Sequence, residues 1–171
     1  FLIDDLKGLR PFYRILVQCS LSAYMIFSTD VHIESLGNLF GFGDVNLGLF
    51  GIPFTIFCTV GVMNAFNMMD GIDGLASIQA IISIIFLFFS SFLLNFKMSN
   101  DVFLVLLFSC LVGFLFLNFN LIPKSKVFLG DAGSMFLGFC VAWTIINNTQ
   151  INDGEGLPPS IALWLVAVPI T

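Results

Sequence analysis

The stretch IQAIISIIFLFFSSFLLNF, from Ile78 to Phe96, contains no charged residue. A helix that spans a bilayer needs about 20 mostly apolar residues, and this stretch comes close to that length. Backbone polar groups must be satisfied within lipid, so the run predicts a helix rather than an open strand. Five further apolar segments accompany it. They are about Phe12–Phe27, Leu47–Met63, Val102–Leu117, Met135–Ile146 and a segment from Ile161 onward.

The composition points to an integral membrane protein. Hydrophobic residues make up 58% of the chain and charged residues only 10%, whereas soluble domains are roughly 25% charged. The chain lacks the alternating pattern of an outer-membrane barrel and the basic stripe of a nucleic-acid-binding protein. We therefore predict an all-α, polytopic transmembrane helix bundle of about six segments, forming one domain over residues 1–171. Because the chain begins without Met and ends inside an apolar run, we expect truncation at both ends.

Loop charges predict the orientation of the bundle. If the chain alternates sides, one face carries the segments Phe1–Pro11, Asn64–Ala76 and Asn118–Gly133. Together with Arg14, that face holds five of the 6 Lys and Arg residues, and the opposite face holds only Lys97. Such a bias marks the cytoplasmic side. Three motifs that contain Asp are therefore predicted to meet at the cytoplasmic face.

The first motif is NAFNMMDGIDGL, from Asn64 to Leu75. Its polar residues recur at every third position. They are Asn64, Asn67, Asp70 and Asp73. Gly71 and Gly74 predict a helix break with exposed backbone N–H groups, which suits close approach of a phosphate or a nucleobase. The alternative is a polar helix end with Asp as a cap and Gly as a terminator.

The second motif is KVFLGDAGSM, which begins at Lys126. Gly130 and Gly133 bracket Asp131, and we predict that Asp131 is a metal ligand because Mg²⁺ favours carboxylate oxygens beside substrate phosphate. The alternative is an N-cap for a helix that starts at Met135. Lys126 is a candidate for neutralising phosphate, and an ordinary membrane-anchor charge is its alternative.

The third motif is the pair Asp4–Asp5. Adjacent carboxylates can bind a metal–phosphate complex, or one can act as a base if its pKa is raised. A solvated loop pair is the alternative. Asn118 ends a predicted helix near the second motif, where helix-cap and site interpretations are equally open.

With these motifs in this order, the chain resembles the polyprenyl-phosphate N-acetylhexosamine-1-phosphate transferases over essentially its full length. The matching stretches are Ile3–Asp5, Ser35–Gly37, Asn64–Leu75 and Lys126–Ser134. The resemblance implies a bundle of about ten or eleven helices that spans the bacterial inner membrane, with the active site facing the cytoplasm. A histidine-rich loop and the first helices of the family are missing here, in keeping with truncation.

The resemblance also implies roles for individual residues. Asp4 and Asp5 match the family's catalytic aspartate pair, and Asp131 matches its metal-binding aspartate. The positions that match substrate-binding residues are Asn67 near the diphosphate, Asp70, Gly71 and Asp73 at the uridine, Phe128 near the uracil, and Asn118. Mg²⁺ is the implied cofactor, with Mn²⁺ as a substitute.

The implied reaction transfers N-acetylglucosamine-1-phosphate from UDP-GlcNAc to undecaprenyl phosphate and releases UMP, as the first membrane step of O-antigen or related cell-envelope polysaccharide synthesis. Its partners are the UDP-sugar, the polyprenyl phosphate and membrane lipid, without nucleic acid; a homodimer is left open. One alternative is the same reaction with a muramoyl-pentapeptide, fucosamine or quinovosamine donor. Alternatives from other classes are a membrane cation transporter and a purely structural membrane subunit.

Overall fold

The computed structural model describes residues 11–38, 43–120, 127–150, 156–159 and 161–162. This part of the chain forms helices and connections, and its only β pairing is an isolated antiparallel bridge between Ser35 and Asn46. A 3₁₀ turn at Gly48–Phe50 leads into the second helix. The helices are α1 (Pro11–Thr29), α2 (Gly51–Met69), α3 (Leu75–Leu94), α4 (Asp101–Asn118) and α5 (Gly130–Thr149). The all-α prediction is confirmed.

Within the described part of the chain, three stretches are long and apolar enough to cross a membrane: Gly48–Met69, Leu75–Leu94 and Asp101–Asn118. Helices α1 and α5 have similar lengths of 19 and 20 residues, but they carry more polar side chains, many of which are buried inside the bundle. Of the sixth predicted segment, only Ile161 and Ala162 lie within the described part of the chain.

Two helices extend beyond their apolar segments. Helix α2 continues past Met63 to Met69, so the placement of Asn64 and Asn67 in a loop is wrong. Helix α5 covers Gly130–Thr149, so the short segment Met135–Ile146 is completed by polar residues on both sides, as a spanning helix of its length requires. In both cases polar side chains form hydrogen bonds inside the bundle, so they do not end the helix as a loop sequence would.

Helix α5 is central to the packing, with contacts to α2 and α3, while α1 packs on α2 and α4 packs on α3. The core includes Met135, Leu137 and Ile145 from α5, each at most 2% exposed. Gly138 lets α2 and α5 come close, because a Cβ there would lie 2.9 Å from Cα of Met63. Small residues commonly permit such approaches between membrane helices.

The helices alternate in direction, and hydrogen bonds join their ends away from the predicted site. The backbone N–H of Glu34 donates to Gln150 Oε1 at 3.1 Å, and that of Ser99 donates to Asn148 Oδ1 at 2.9 Å. We call this end, defined by Glu34, Ser99, Asn148 and Gln150, the far end. Each described helix runs from one end of the bundle to the other, so successive connections lie at alternate ends. The polar motifs beside α2, α4 and α5 therefore share the end opposite to the far end.

Candidate active site

A short turn after α2 displays the first acidic motif. Asp70 is the C-cap residue of α2, and the backbone N–H of Leu75 donates to the Ile72 carbonyl at 3.1 Å. Gly74 has φ +74° and packs against Phe119 of the α4 end. The predicted break at the glycines is confirmed. A carboxylate at a helix C-terminus faces the negative end of the helix dipole, so Asp70 does not stabilise α2 by capping it.

Asp131 lies in the first turn of α5, which begins at Gly130 with φ +69°. The interpretation of Asp131 as the N-cap of a helix from Met135 is therefore wrong, because its own backbone is already helical. A carboxylate at this position is favoured by the positive end of the helix dipole. Arg14 of α1 approaches the same group, with Nη1 3.0 Å from Asp131 Oδ2.

Asp70 and Asp131 are close neighbours. Partial burial raises the pKa of Asp70, and the carboxylates of Asp131 and Asp73 raise it further, although a hydrogen bond from the Gly130 backbone N–H opposes the shift. The first two acidic motifs meet as predicted, since Ser134 beside Asp131 is hydrogen-bonded to Asn67 beside Asp70. Such a cluster of like charges favours a cationic partner.

A hydroxyl–amide contact fixes the site between α2 and α5. Ser134 Oγ donates to Asn67 Oδ1 at 2.8 Å and lies 3.1 Å from the Asp131 carbonyl oxygen. Ser134 is completely buried, while Asn67 is partly accessible. Asn67 therefore belongs to the same cluster as Asp131, as predicted, and sequence reasoning did not identify Ser134 as its partner.

Asn118 reaches across the connection between α4 and α5. Its Nδ2 donates to the Val127 carbonyl at 2.8 Å, and the residue is only 3% exposed. Its Oδ1 has no hydrogen-bond partner in the described part of the chain. A buried acceptor without a donor is costly, and the residue that follows Val127, Phe128, exposes its ring.

The other predicted residues separate into three groups. Gly71 and Asp73 are exposed on the turn after α2. Asp4, Asp5 and Lys126 lie outside the described residues. Asn64 differs from the other polar residues of the first motif, because its side chain pairs with Gln18 of α1. Sequence reasoning missed Gln18, whose only signal is a lone amide in an apolar segment one turn after Arg14.

The described residues contain no group of three or more His, Cys, Asp or Glu side chains that could hold a metal ion. Asp70 and Asp131 still provide two adjacent carboxylates. Mg²⁺ is usually bound through one or two carboxylates, with water and substrate phosphate completing its shell. This donor set fits an ion that arrives with a diphosphate, and the assignment of Asp131 as a metal ligand stays a prediction.

Known proteins resemble this chain over nearly its whole length. The undecaprenyl-phosphate alpha-N-acetylglucosaminyl 1-phosphate transferase of Salmonella typhi is 32% identical over 171 residues, covering 98% of this chain and 46% of the relative. The protein of that name from Yersinia pestis is 33% identical over 169 residues, covering 98% of this chain and 46% of the relative. The one from Haemophilus influenzae is 33% identical over 171 residues, covering 99% of this chain and 48% of the relative. The chain thus spans about half the length of the curated relatives it matches. The pattern of glycosyl transferase family 4 matches residues 2–149, and the chain belongs to that family.

Proposed function

We propose that this chain is the central part of an enzyme that transfers N-acetylglucosamine-1-phosphate from UDP-GlcNAc to undecaprenyl phosphate and releases UMP. One observation carries the proposal. In a member of glycosyl transferase family 4, the end of α2, which carries Asp70, is hydrogen-bonded through Asn67 and Ser134 to the first turn of α5, where Arg14 pairs with Asp131. The names of the relatives supply the acceptor lipid and the sugar.

In this reaction an oxygen of the lipid phosphate bonds to the phosphorus that carries the sugar. The bond from that phosphorus to the bridging oxygen breaks, and UMP leaves with the electron pair. The attacking phosphate is already anionic near neutral pH, so the main tasks of the site are to offset charge and align the two phosphates. Arg14 supplies a permanently charged guanidinium suited to phosphate oxygens.

Asp131 and Asp70 are the groups that would hold Mg²⁺, or Mn²⁺ in its place. When bound there with the diphosphate, the ion would offset the charge that develops on the leaving phosphate. Ser134 and Asn67 would keep the first turn of α5 in place beside the end of α2. Asp4 or Asp5 would position the lipid phosphate or accept its last proton, and both roles are part of the proposal.

The uridine would lie along the turn after α2. Gly71 and Asp73 are exposed there, and Phe128 is an exposed aromatic ring on which a base can stack. Among the described residues Asn118 Oδ1 has no donor, while its Nδ2 donates to the carbonyl of Val127, the residue before Phe128. This combination of ring, acceptor and carboxylates supports a nucleotide donor rather than a bare metal ion.

The polyprenyl tail would lie in the membrane. Helix α3 exposes large apolar side chains along its length, including Ile82, Ile85, Phe89 and Phe92. Each buried CH₂ of a lipid contributes about 0.8 kcal/mol, so a long prenyl chain would be held largely by such surfaces. We place the protein in the bacterial inner membrane with its site facing the cytoplasm, and we leave a homodimer open.

The decisive experiment measures UMP release by the intact protein with UDP-GlcNAc, undecaprenyl phosphate and Mg²⁺. Asp131→Asn should nearly abolish turnover, while Asp70→Asn should chiefly weaken nucleotide binding. Asp101→Asn is the matched control, since Asp101 also lies in the first turn of a helix but at the opposite end of the bundle. Near-normal turnover of Asp131→Asn would remove the metal assignment.

The choice of sugar needs a panel of donors. The alternative donors carry muramoyl-pentapeptide, fucosamine or quinovosamine groups, and relative turnover with each would identify the substrate. The transporter alternative receives no support. Every charged residue in the described helices, namely Arg14, Asp101 and Asp131, lies within the first four helical positions. An ion pathway would need such groups at mid-depth.

A further inference from the structure

A partly buried pair of amide side chains joins α1 to α2 one turn beyond the site. Gln18 is completely buried. Asn64 Nδ2 donates to Gln18 Oε1 at 2.9 Å, and Gln18 Nε2 lies 3.5 Å from Asn64 Oδ1. Gln18 Nε2 also contacts Met135 Sδ of α5 at 3.4 Å. One side chain of α1 thus contacts both neighbouring helices.

The spacing connects this pair to the site. Arg14 and Gln18 are four residues apart on α1, and their partners Asp131 and Met135 are four residues apart on α5. Residues four apart lie on the same face of a helix, and α1 and α5 run in the same direction. The contact between Gln18 and Met135 therefore lies one helical turn from the contact between Arg14 and Asp131, on the same faces of α1 and α5.

Hydrogen bonding makes this contact directional. An apolar pair would fill the same space but would tolerate sliding or rotation of α1, whereas a buried amide left without its partner is costly. The pair therefore fixes both the height and the rotation of α1 relative to α2. Arg14 lies one helical turn from Gln18, so the position of its guanidinium depends on how α1 is held against α2.

We propose that Gln18, held by Asn64, is a positioning residue for the transfer reaction: it keeps the Arg14 guanidinium on the Asp131 carboxylate. The inference rests on the proposed function. Gln18 is fully buried in the bundle, so we assign it no direct contact with substrate. Its effect on turnover arises because a misplacement of about 1 Å in a reacting group can lower the rate about 100-fold.

The test uses paired substitutions in the intact protein. Gln18→Met with Asn64→Leu removes both amides and preserves side-chain size, so the thermal midpoint should stay close to that of wild type. We expect kcat to fall about tenfold or more, with KM for UDP-GlcNAc changed by less than about threefold. The exchange of Gln18→Asn with Asn64→Gln retains an amide pair and should restore kcat. Ser22→Ala is the control, because this buried hydroxyl donates within α1, to the backbone carbonyl of Gln18 rather than to its side chain.

Wild-type kcat in the double apolar variant would overturn the proposal, as would an exchange variant as slow as the double apolar one. A second test asks whether Gln18 acts through Arg14, by adding Gln18→Met to the Arg14→Lys variant. We expect the double variant to have nearly the kcat of Arg14→Lys alone. If the double variant instead shows the product of the two separate reductions in kcat, the proposal is overturned.

A thermal double-mutant cycle between Gln18→Met and Asp131→Asn needs no substrate. If the two substitutions change the thermal midpoint non-additively, the amide pair and Asp131 are coupled. If their effects on the midpoint add, the coupling and the proposal are rejected. If the wild-type protein releases no UMP from any UDP-sugar, the proposed function fails while this cycle still decides the positioning.

Discussion

Replacement of Gly138 by Ala tests the close crossing of α2 and α5 on which the site depends. A Cβ at Gly138 would lie 2.9 Å from Cα of Met63, 3.0 Å from Cβ of Phe66 and 3.1 Å from the carbonyl oxygen of Val62. Carbon atoms are at their optimal separation at about 3.5–4.0 Å. The two helices would therefore have to separate by roughly 0.5–1 Å, since backbone atoms cannot rotate away as a side-chain tip can.

The expected cost follows from that overlap. Forcing an extra methyl into a packed interior typically destabilises a protein by about 1–3 kcal/mol. The Ser134–Asn67 hydrogen bond, now 2.8 Å long, lies one turn from Gly138 on the same pair of helices. A separation of that size would stretch this bond and move Asp131 away from Asp70, so we also expect kcat to fall by about 10- to 100-fold.

The assay combines thermal unfolding in detergent with UMP release. Gly61→Ala is the matched control, since Gly61 lies on the same α2 helix and its added Cβ meets nothing within 4 Å. That control should leave activity unchanged and raise stability slightly, by about 0.5–1 kcal/mol, because Ala is the better helix former. If Gly138→Ala unfolds at the same temperature as Gly61→Ala, α2 and α5 are not as close as described.

Three further substitutions test the turn and the nucleotide site. Gly74→Ala should lower the free energy of unfolding by at least about 1–2 kcal/mol in chemical denaturation, since its φ of +74° is unfavourable for Ala and its Cβ would meet Phe119 Cζ at 2.9 Å. The raised pKa of Asp70 means that the folded protein binds this proton more tightly than the unfolded chain does. In the absence of divalent ions, the free energy of unfolding should therefore fall as pH rises from the ordinary pKa of 3.8 through the raised value. Asp70→Asn should flatten that part of a melting-temperature profile, and an unchanged slope would reject the shift. Asn118→Ala should raise KM for the UDP-sugar about tenfold, the equivalent of one lost hydrogen bond, and an unaltered KM would exclude Asn118 from the binding site.

Charge-free runs and glycines allowed much of the fold to be predicted from the sequence. The apolar run from Ile78 to Phe96 corresponds to α3, which covers Leu75–Leu94, and the break at Gly71 and Gly74 is where predicted. These features depend on local chemistry: lipid excludes charge, and positive φ favours Gly. Loop charges likewise predicted that Asp70 and Asp131 would share one end.

The missed features depend on contacts distant in sequence. Asn64 suggested a loop and a ligand-binding role, yet it lies on α2 and pairs with Gln18, 46 residues away. Gln18 in turn reaches Met135 across 117 residues. No local pattern marks a Gln as the partner of a particular Asn, because each helix alone would leave that amide exposed to lipid. The prediction that Asp5 joins this site concerns residues outside the described part of the chain and stays a prediction.

The two ends of the bundle differ in how completely their polar groups are satisfied. At the far end, Asn148 and Gln150 use their amide oxygens to accept hydrogen bonds from backbone N–H groups, a pattern that stabilises connections. At the site end, Asp70 lies at the negative end of a helix dipole and near Asp131, and Asn118 Oδ1 is a buried acceptor with no donor among the described residues. Selection for stability alone would remove these arrangements, because each costs free energy. A bound ligand with cationic and hydrogen-bond-donating groups would reverse both costs at once, and a magnesium-bound uridine nucleotide has both.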